Sequence, residues 1–119
     1  MRKIKVFLVI LILAGLFFGC ATASMDMAYS NRGFEELSRN NYEKAEEYLE
    51  RALAINPDNA YALLNMGVVY QNTGRLDKAR EMYNKVIELN RKAVAEKSNK
   101  DWAQGKDLNE IAKKNLESF

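Results

Sequence analysis

Cys20 carries the most reactive side chain in a sequence of 119 residues that holds no other cysteine and no histidine. A lone thiol cannot close an internal disulfide or build a cysteine-based zinc cage. Without histidine, the commonest general base and metal ligand are missing as well. The 16 Asp and Glu residues are left to do acid–base work. They alternate with Lys and Arg at three- and four-residue spacing, which is the pattern of solvated pairs on helix surfaces rather than of a set acid and base. No nucleophile, base and oxyanion arrangement can be read, so the expectation is a non-enzyme with no catalytic residue, no cofactor, no metal and no small-molecule substrate. The formal charge of +2 includes Arg2, Lys3 and Lys5 ahead of the first apolar run, which leaves the remainder close to neutral. A nucleic-acid binder needs a concentrated basic face, and none is present.

The chemistry open to Cys20 is set by its neighbours. The opening MRKIKVFLVILILAGLFFGCATAS has a basic start, an apolar stretch of about thirteen residues from Val6 to Phe18, and small residues after it, as a secretory signal does. The stretch is short of the roughly twenty residues that cross a bilayer. No charge follows until Asp26, however, so Val6 to Met25 could also serve as an uncleaved anchor. In either case the basic end stays cytoplasmic and everything after Cys20 lies outside.

Gly19-Cys20 resembles the lipobox of bacterial lipoproteins, in which the thiolate accepts a diacylglycerol and the cysteine becomes the new N-terminus. Phe17 and Phe18 depart from the usual small and aliphatic residues before the glycine, and Leu16 stands one place too early. The resemblance implies lipidation at Cys20 and a membrane partner held through that lipid. The expected address is the bacterial cell envelope, at the outer membrane facing the periplasm ahead of the inner membrane, because Ala21 is not the Asp that resembles an inner-membrane retention signal. Ordinary secretion is the further alternative.

The body that must hold any other function repeats itself. A shift of 34 residues brings Asn31 onto Asn65, Gly33 onto Gly67, Lys44 onto Lys78, Ala45 onto Ala79, Glu47 onto Glu81 and Asn56 onto Asn90. Each copy reads as two helices and a tight turn. In the second, Ala60 to Thr73 is apolar around nearly its whole girth and should be covered on two sides. Gly74 stops it. A helix from Arg75 then carries Leu76, Ala79, Tyr83, Val86 and Ile87 on one stripe, as Tyr42, Ala45, Leu49, Ala52 and Leu53 do in the first copy, with Glu43, Lys44, Glu46, Glu47, Glu50 and Arg51 outward. Between the copies, INPDN holds a proline that ends one helix, and Pro57 or Asp58 can begin the next.

These residues resemble the tetratricopeptide repeat, on Gly33, Tyr42, Ala45, Leu49, Ala52 and Pro57 in one copy and Leu63, Gly67, Tyr70, Gly74, Ala79 and Tyr83 in the other. The small residues stand where paired helices approach most closely. Val86 and Arg91 depart from the pattern's alanine and proline, so the last helix can run on toward Lys97. The resemblance implies an all-α fold in which two helix-turn-helix units form a short right-handed solenoid with a C-terminal capping helix. The divisions are a signal or anchor over 1–19, a tether over 20–25, repeats over 26–57 and 58–97, a loop over 98–106 and the cap over 107–119. Asp107 caps a helix from Leu108 to about Ser118, with Leu108, Ile111, Ala112 and Leu116 covering the second repeat. Trp102 is either a plug under this cap or an exposed anchor for a partner.

In this family the first helices line a concave surface that takes a peptide or partner helix. By register that surface should present Met27, Phe34 and Leu37, then Tyr61, Leu64, Val68, Gln71 and Asn72. Of the residues by which one subset grips a terminal carboxylate, only Asn31 and Asn65 remain, with no basic neighbour, so an apolar or aromatic partner is favoured. Two readings follow. One is a membrane-tethered scaffold for protein–protein interaction. The other is a self-assembling subunit built by stacking repeat faces. Against both stands the plain alternative that an apolar stripe at helical spacing is core.

Overall fold

The computed structural model describes residues 25–89 and 106–119. The segment carrying Cys20, the expected extension of the last repeat helix to Lys97, and Trp102 all lie outside the described residues. Five helices follow in order: α1 over residues 25–38, α2 over Tyr42–Ile55, α3 over Ala60–Asn72, α4 over Leu76–Glu88 and α5 over Leu108–Leu116. The architecture is all-α, two helix-turn-helix units and a C-terminal helix, as the periodicity predicts.

The helices of each pair pack closely because small residues sit where they must pass one another. A Cβ on Gly33 would lie 2.6 Å from Leu49 Cγ, and one on Gly67 would strike the Tyr83 ring. Leu49 and Tyr83 are themselves 34 residues apart, so both pairs are one contact made twice. Ala45, Ala52 and Ala79 are fully buried at the remaining close approaches.

Both first helices also end alike. Asn41 N–H donates to Glu36 O at 2.9 Å and Asn40 N–H to Leu37 O at 2.9 Å, while Arg75 N–H donates to Tyr70 O at 2.8 Å and Gly74 N–H to Gln71 O at 3.3 Å. This is a Schellman closure, which needs a left-handed residue just past the helix. Gly74 supplies it at φ 77° and Asn40 at φ 61°.

The all-round apolarity of α3 is used on both sides. Ala62, Met66 and Val69 pack with Ala45, Leu49 and Ala52 of α2 and Leu37 of α1. Ala60, Leu63 and Leu64 pack with Ala79, Tyr83 and Val86 of α4 and with Leu108, Ile111 and Ala112 of α5. The last helix thus stands on α3 and α4 where the first helix of a third repeat would stand. Asp107 caps it, its carboxylate accepting from Asn109 N–H at 2.7 Å.

Three local expectations are corrected. The N-cap of α3 is Asn59, not Pro57 or Asp58. Its side chain accepts from Ala62 N–H at 3.0 Å, which satisfies a donor that the first turn leaves open. Pro57 does end α2, as expected, because the residue before a proline avoids helical torsions and Asn56 is extended at φ −135° and ψ 95°. Leu76, expected on the buried stripe, is 38% exposed, since the first turn of α4 lies at the edge of the stack. Glu46, expected outward, turns across the repeat boundary to Arg75.

Candidate partner-binding site

Helices α1 and α3 run side by side in the same direction, fastened at their starts by a buried carboxylate. Asp26, 3% exposed, accepts from Asn59 Nδ2 at 2.9 Å and Asn56 Nδ2 at 3.0 Å. A buried carboxylate is costly unless donors surround it, and the two amides are those donors. Sequence reasoning passed over Asp26. Its only signal was an acidic residue placed among Met25, Met27 and Ala28.

With the helices so fastened, two stripes come into register. On α3 the stripe is Tyr61, Asn65, Val68 and Asn72, spaced by four, three and four residues as one helix face requires. On α1 it is Met27, Asn31, Phe34 and Ser38, each 34 residues earlier. Met27, Asn31, Ser38 and Asn72 are exposed, and Phe34, Tyr61, Asn65 and Val68 half-buried. The pairs read apolar, amide, apolar, small polar. The last pair is closed by the same back-bond, Ser38 Oγ to Phe34 O at 2.9 Å and Asn72 Nδ2 to Val68 O at 2.8 Å. None of the eight side chains is charged, so this face suits a partner that brings apolar groups and amide or backbone hydrogen bonds, not a carboxylate.

Met27, Phe34, Tyr61, Val68 and Asn72 therefore lie together on the surface where the register put them. Leu37 and Leu64 do not. Leu37 is 3% exposed within the core shared by α1, α2 and α3, and Leu64 is 6% exposed in the cluster that α5 covers. At 3.6 residues per turn, Leu37 lies about 90° and Leu64 about 70° around its helix from the middle of the stripe. Gln71 is also engaged internally. It accepts from the Tyr83 hydroxyl at 2.8 Å and donates to Ser118 Oγ at 2.7 Å, and Ser118 Oγ donates to Asn115 O at 2.6 Å. This chain latches α5 to α3 and α4. Asn31 and Asn65, read in the sequence only as remnants of a carboxylate grip, take the central places instead.

The electrostatics concentrate away from this face. Arg75 grips Glu46 with bonds of 2.8 and 2.7 Å and lies 4.6 Å from the centre of the Tyr70 ring. The hydrogen bond from Arg75 holds the Glu46 carboxyl below its usual range, and burial pushes the Tyr70 hydroxyl up. Burial raises the Tyr83 hydroxyl much further.

Comparison with known proteins bears on the repeat itself. The family profile described as tetratricopeptide repeat matches residues 36–97, just over half of the chain. The chain belongs to the tetratricopeptide repeat family. Such repeats generally mediate protein–protein contacts and are generally non-enzymatic scaffolds. Among relatives, it is 32% identical over 59 residues to the TPR repeat-containing protein MJ0263 of Methanocaldococcus jannaschii, covering 50% of this chain and 18% of that protein. It is 36% identical over 62 residues to the uncharacterized protein ycf37 of Pyropia yezoensis, covering 52% of this chain and 35% of that one. It is 38% identical over 56 residues to Protein POLLENLESS 3-LIKE 2 of Arabidopsis thaliana, covering 47% and 13%. The chain thus spans about a third or less of the length of these curated relatives. No solved structure matches. What is shared is the tetratricopeptide repeat pair itself, which gives the scaffold without its partner.

Proposed function

We propose that this tetratricopeptide repeat chain is a non-enzymatic scaffold of the bacterial cell envelope, tethered to a membrane by a lipid on Cys20, that binds a protein partner along α1 and α3. The observation that carries the docking half is the uncharged double stripe, in which Met27 is matched by Tyr61, Asn31 by Asn65 and Phe34 by Val68 one repeat on, all exposed or half-buried. Tyr61 and Val68 pack partly against the core, and the part of each left open adds to the exposed Met27 and Asn31 as surface for a partner. An apolar peptide or amphipathic helix fits this surface, with the two asparagines meeting its polar groups. The tether half rests on the sequence around Gly19-Cys20.

The ends of the stack favour docking over self-assembly. The three positions by which α3 packs on α2, Ala62, Met66 and Val69, correspond on α1 to Ala28, Arg32 and Glu35, all exposed. At the other end α5 presents Glu110, Lys113, Lys114 and Glu117 outward. Stacking a second molecule on either end would bury charge.

A photo-crosslinking amino acid at Asn31 in cells should give a discrete protein adduct, lost when Phe34 and Tyr61 are both changed to alanine, while the same probe at Asn84 on α4 gives none. Equal adducts from both positions would overturn the groove. Intact mass measurement of the membrane-extracted protein tests the tether: a chain beginning at an acylated Cys20 supports it, and an unmodified, uncleaved chain does not.

A further inference from the structure

Four large apolar side chains stand out among the described residues as exposed: Met25 at 47%, Met27 at 41%, Ile55 at 37% and Leu76 at 38%. Three share one edge, formed by the starts of α1 and α3 and the end of α2. Contacts hold them there. The Asp26 carboxylate, between Met25 and Met27, is bonded by Asn56, next to Ile55, and by Asn59. Met27 Sδ lies 3.7 Å from Asn59 Nδ2, at the corner where this edge meets the groove. Ala28, Ala54 and Pro57, all exposed, extend the patch, and over residues 25–28 and 54–59 the only exposed charge is Asp58. The opposite edge is different. Its turns expose Arg39, Asn40, Asn41, Glu43, Asp77 and Lys78 around the single apolar Leu76.

The apolar edge is also where the chain arrives from its N-terminal apolar run. Seven residue steps lie between Phe18 and Met25, and an extended chain spans about 3.5 Å per step, so Met25 stands within about 25 Å of the end of that run, or about 18 Å of Cys20. On so short a leash this edge stays beside the bilayer whenever the run or a lipid on Cys20 is inserted. A patch too small to hold vesicles alone is then kept in contact by its high local concentration, and membrane attachment commonly needs such a second element.

We infer that the edge bearing Met25, Ile55 and Pro57 rests on the lipid surface as a second attachment, an inference that depends on the membrane tether proposed above. Helices α1 and α3 begin at this edge. With the edge on the lipid they stand up from the surface, and the groove opens sideways to partners in the aqueous compartment.

The full chain in vesicles of phosphatidylethanolamine and phosphatidylglycerol, carrying Trp102→Phe and one reporter, tests this. With Ile55→Trp or Met25→Trp, emission should shift to shorter wavelength and be quenched about twofold by lipids brominated near the carbonyl region, the depth an interfacial side chain reaches. With Asn84→Trp it should be unaffected. Two edge reporters are used so that a fold defect in one does not decide the result, folding being checked by circular dichroism. If the chain floats with the vesicles but both edge reporters behave like Asn84→Trp, the surface contact is overturned and the tether stands. If the chain does not float with them, the tether falls and the contact with it.

Discussion

Arg75, at the N-cap of α4, holds both carboxylate oxygens of Glu46 on α2, with bonds of 2.8 and 2.7 Å, and so ties the second repeat to the first on the side away from the groove. A bidentate fork of this kind is the stronger geometry for an ion pair. Because solvent reaches 35% of the Arg75 side chain and 23% of that of Glu46, screening limits the pair to about 1 kcal/mol. The Glu46 carboxyl titrates below its usual value in the fold, so the contribution is complete above the unfolded value and lost as pH falls through the folded one. Glu46→Gln should lower stability by about 1 kcal/mol at neutral pH, and the difference from the parent should vanish in strong acid. Urea titrations at several pH values check this, and a pH-independent difference would contradict it.

Gly67→Ala should cost about 2 kcal/mol. Its methyl would enter the rigid Tyr83 ring, and overpacking of a closed core outweighs the gain of about 1 kcal/mol in helix propensity. Gly33→Ala should cost less, since it meets Leu49, which can shift where a ring cannot. Melting curves of the two variants report the order, and equal stability to the parent at Gly67 would undo the account of the helix pair.

Tyr83→Phe should cost about 1 kcal/mol by leaving the half-buried Gln71 carbonyl without its donor. It should also loosen α5, seen as faster amide exchange over Ile111 to Asn115. Burial keeps the Tyr83 hydroxyl protonated well past the usual tyrosine range, so the folded state holds a proton that the unfolded chain releases. Stability should therefore fall as pH rises above about 10, and less steeply in the Phe variant. Matching alkaline limbs for the two proteins would be the contrary result.

Asp26→Ala should cost about 2 kcal/mol, because it strands two amides that now bond one buried carboxylate. The loss should be concentrated in α1, whose amides should exchange ahead of those of α3. Uniform loosening of all the helices would argue that Asp26 does not fasten this one.

Asn40→Gly should raise stability by about 0.5 kcal/mol, as a left-handed residue at that turn is easier without a side chain. Gly74→Ala should lower it by about 1 kcal/mol. No atom lies within 4 Å of a Cβ placed on Gly74, so the loss would come from the backbone alone. Opposite signs at these two equivalent turns are the test.

Much of this molecule is legible from local chemistry. The repeat period, the glycines at close approaches, the stop at Gly74 and the cap at Asp107 follow from helix periodicity and torsional preference, which act over a few residues. These were enough for the fold and for the two stripes of the groove to within one helix face. Contacts between distant segments were not legible. Asp26 looked like any exposed acid until its amides, 30 and 33 residues on, were brought to it, and Glu46 looked solvated until Arg75 crossed the repeat boundary. Leu37 and Leu64 shared the apolar character of the groove residues, and only the packing of neighbouring helices, with α5 over Leu64, decided that they belong to the core. Sequence by itself determined which helices exist and placed the stop at Gly74 and the cap at Asp107, since those energies are local, although it set the start of α3 one or two residues before Asn59. The tertiary structure alone decided which polar groups are buried and which apolar faces stay open, since that depends on what packs against each face.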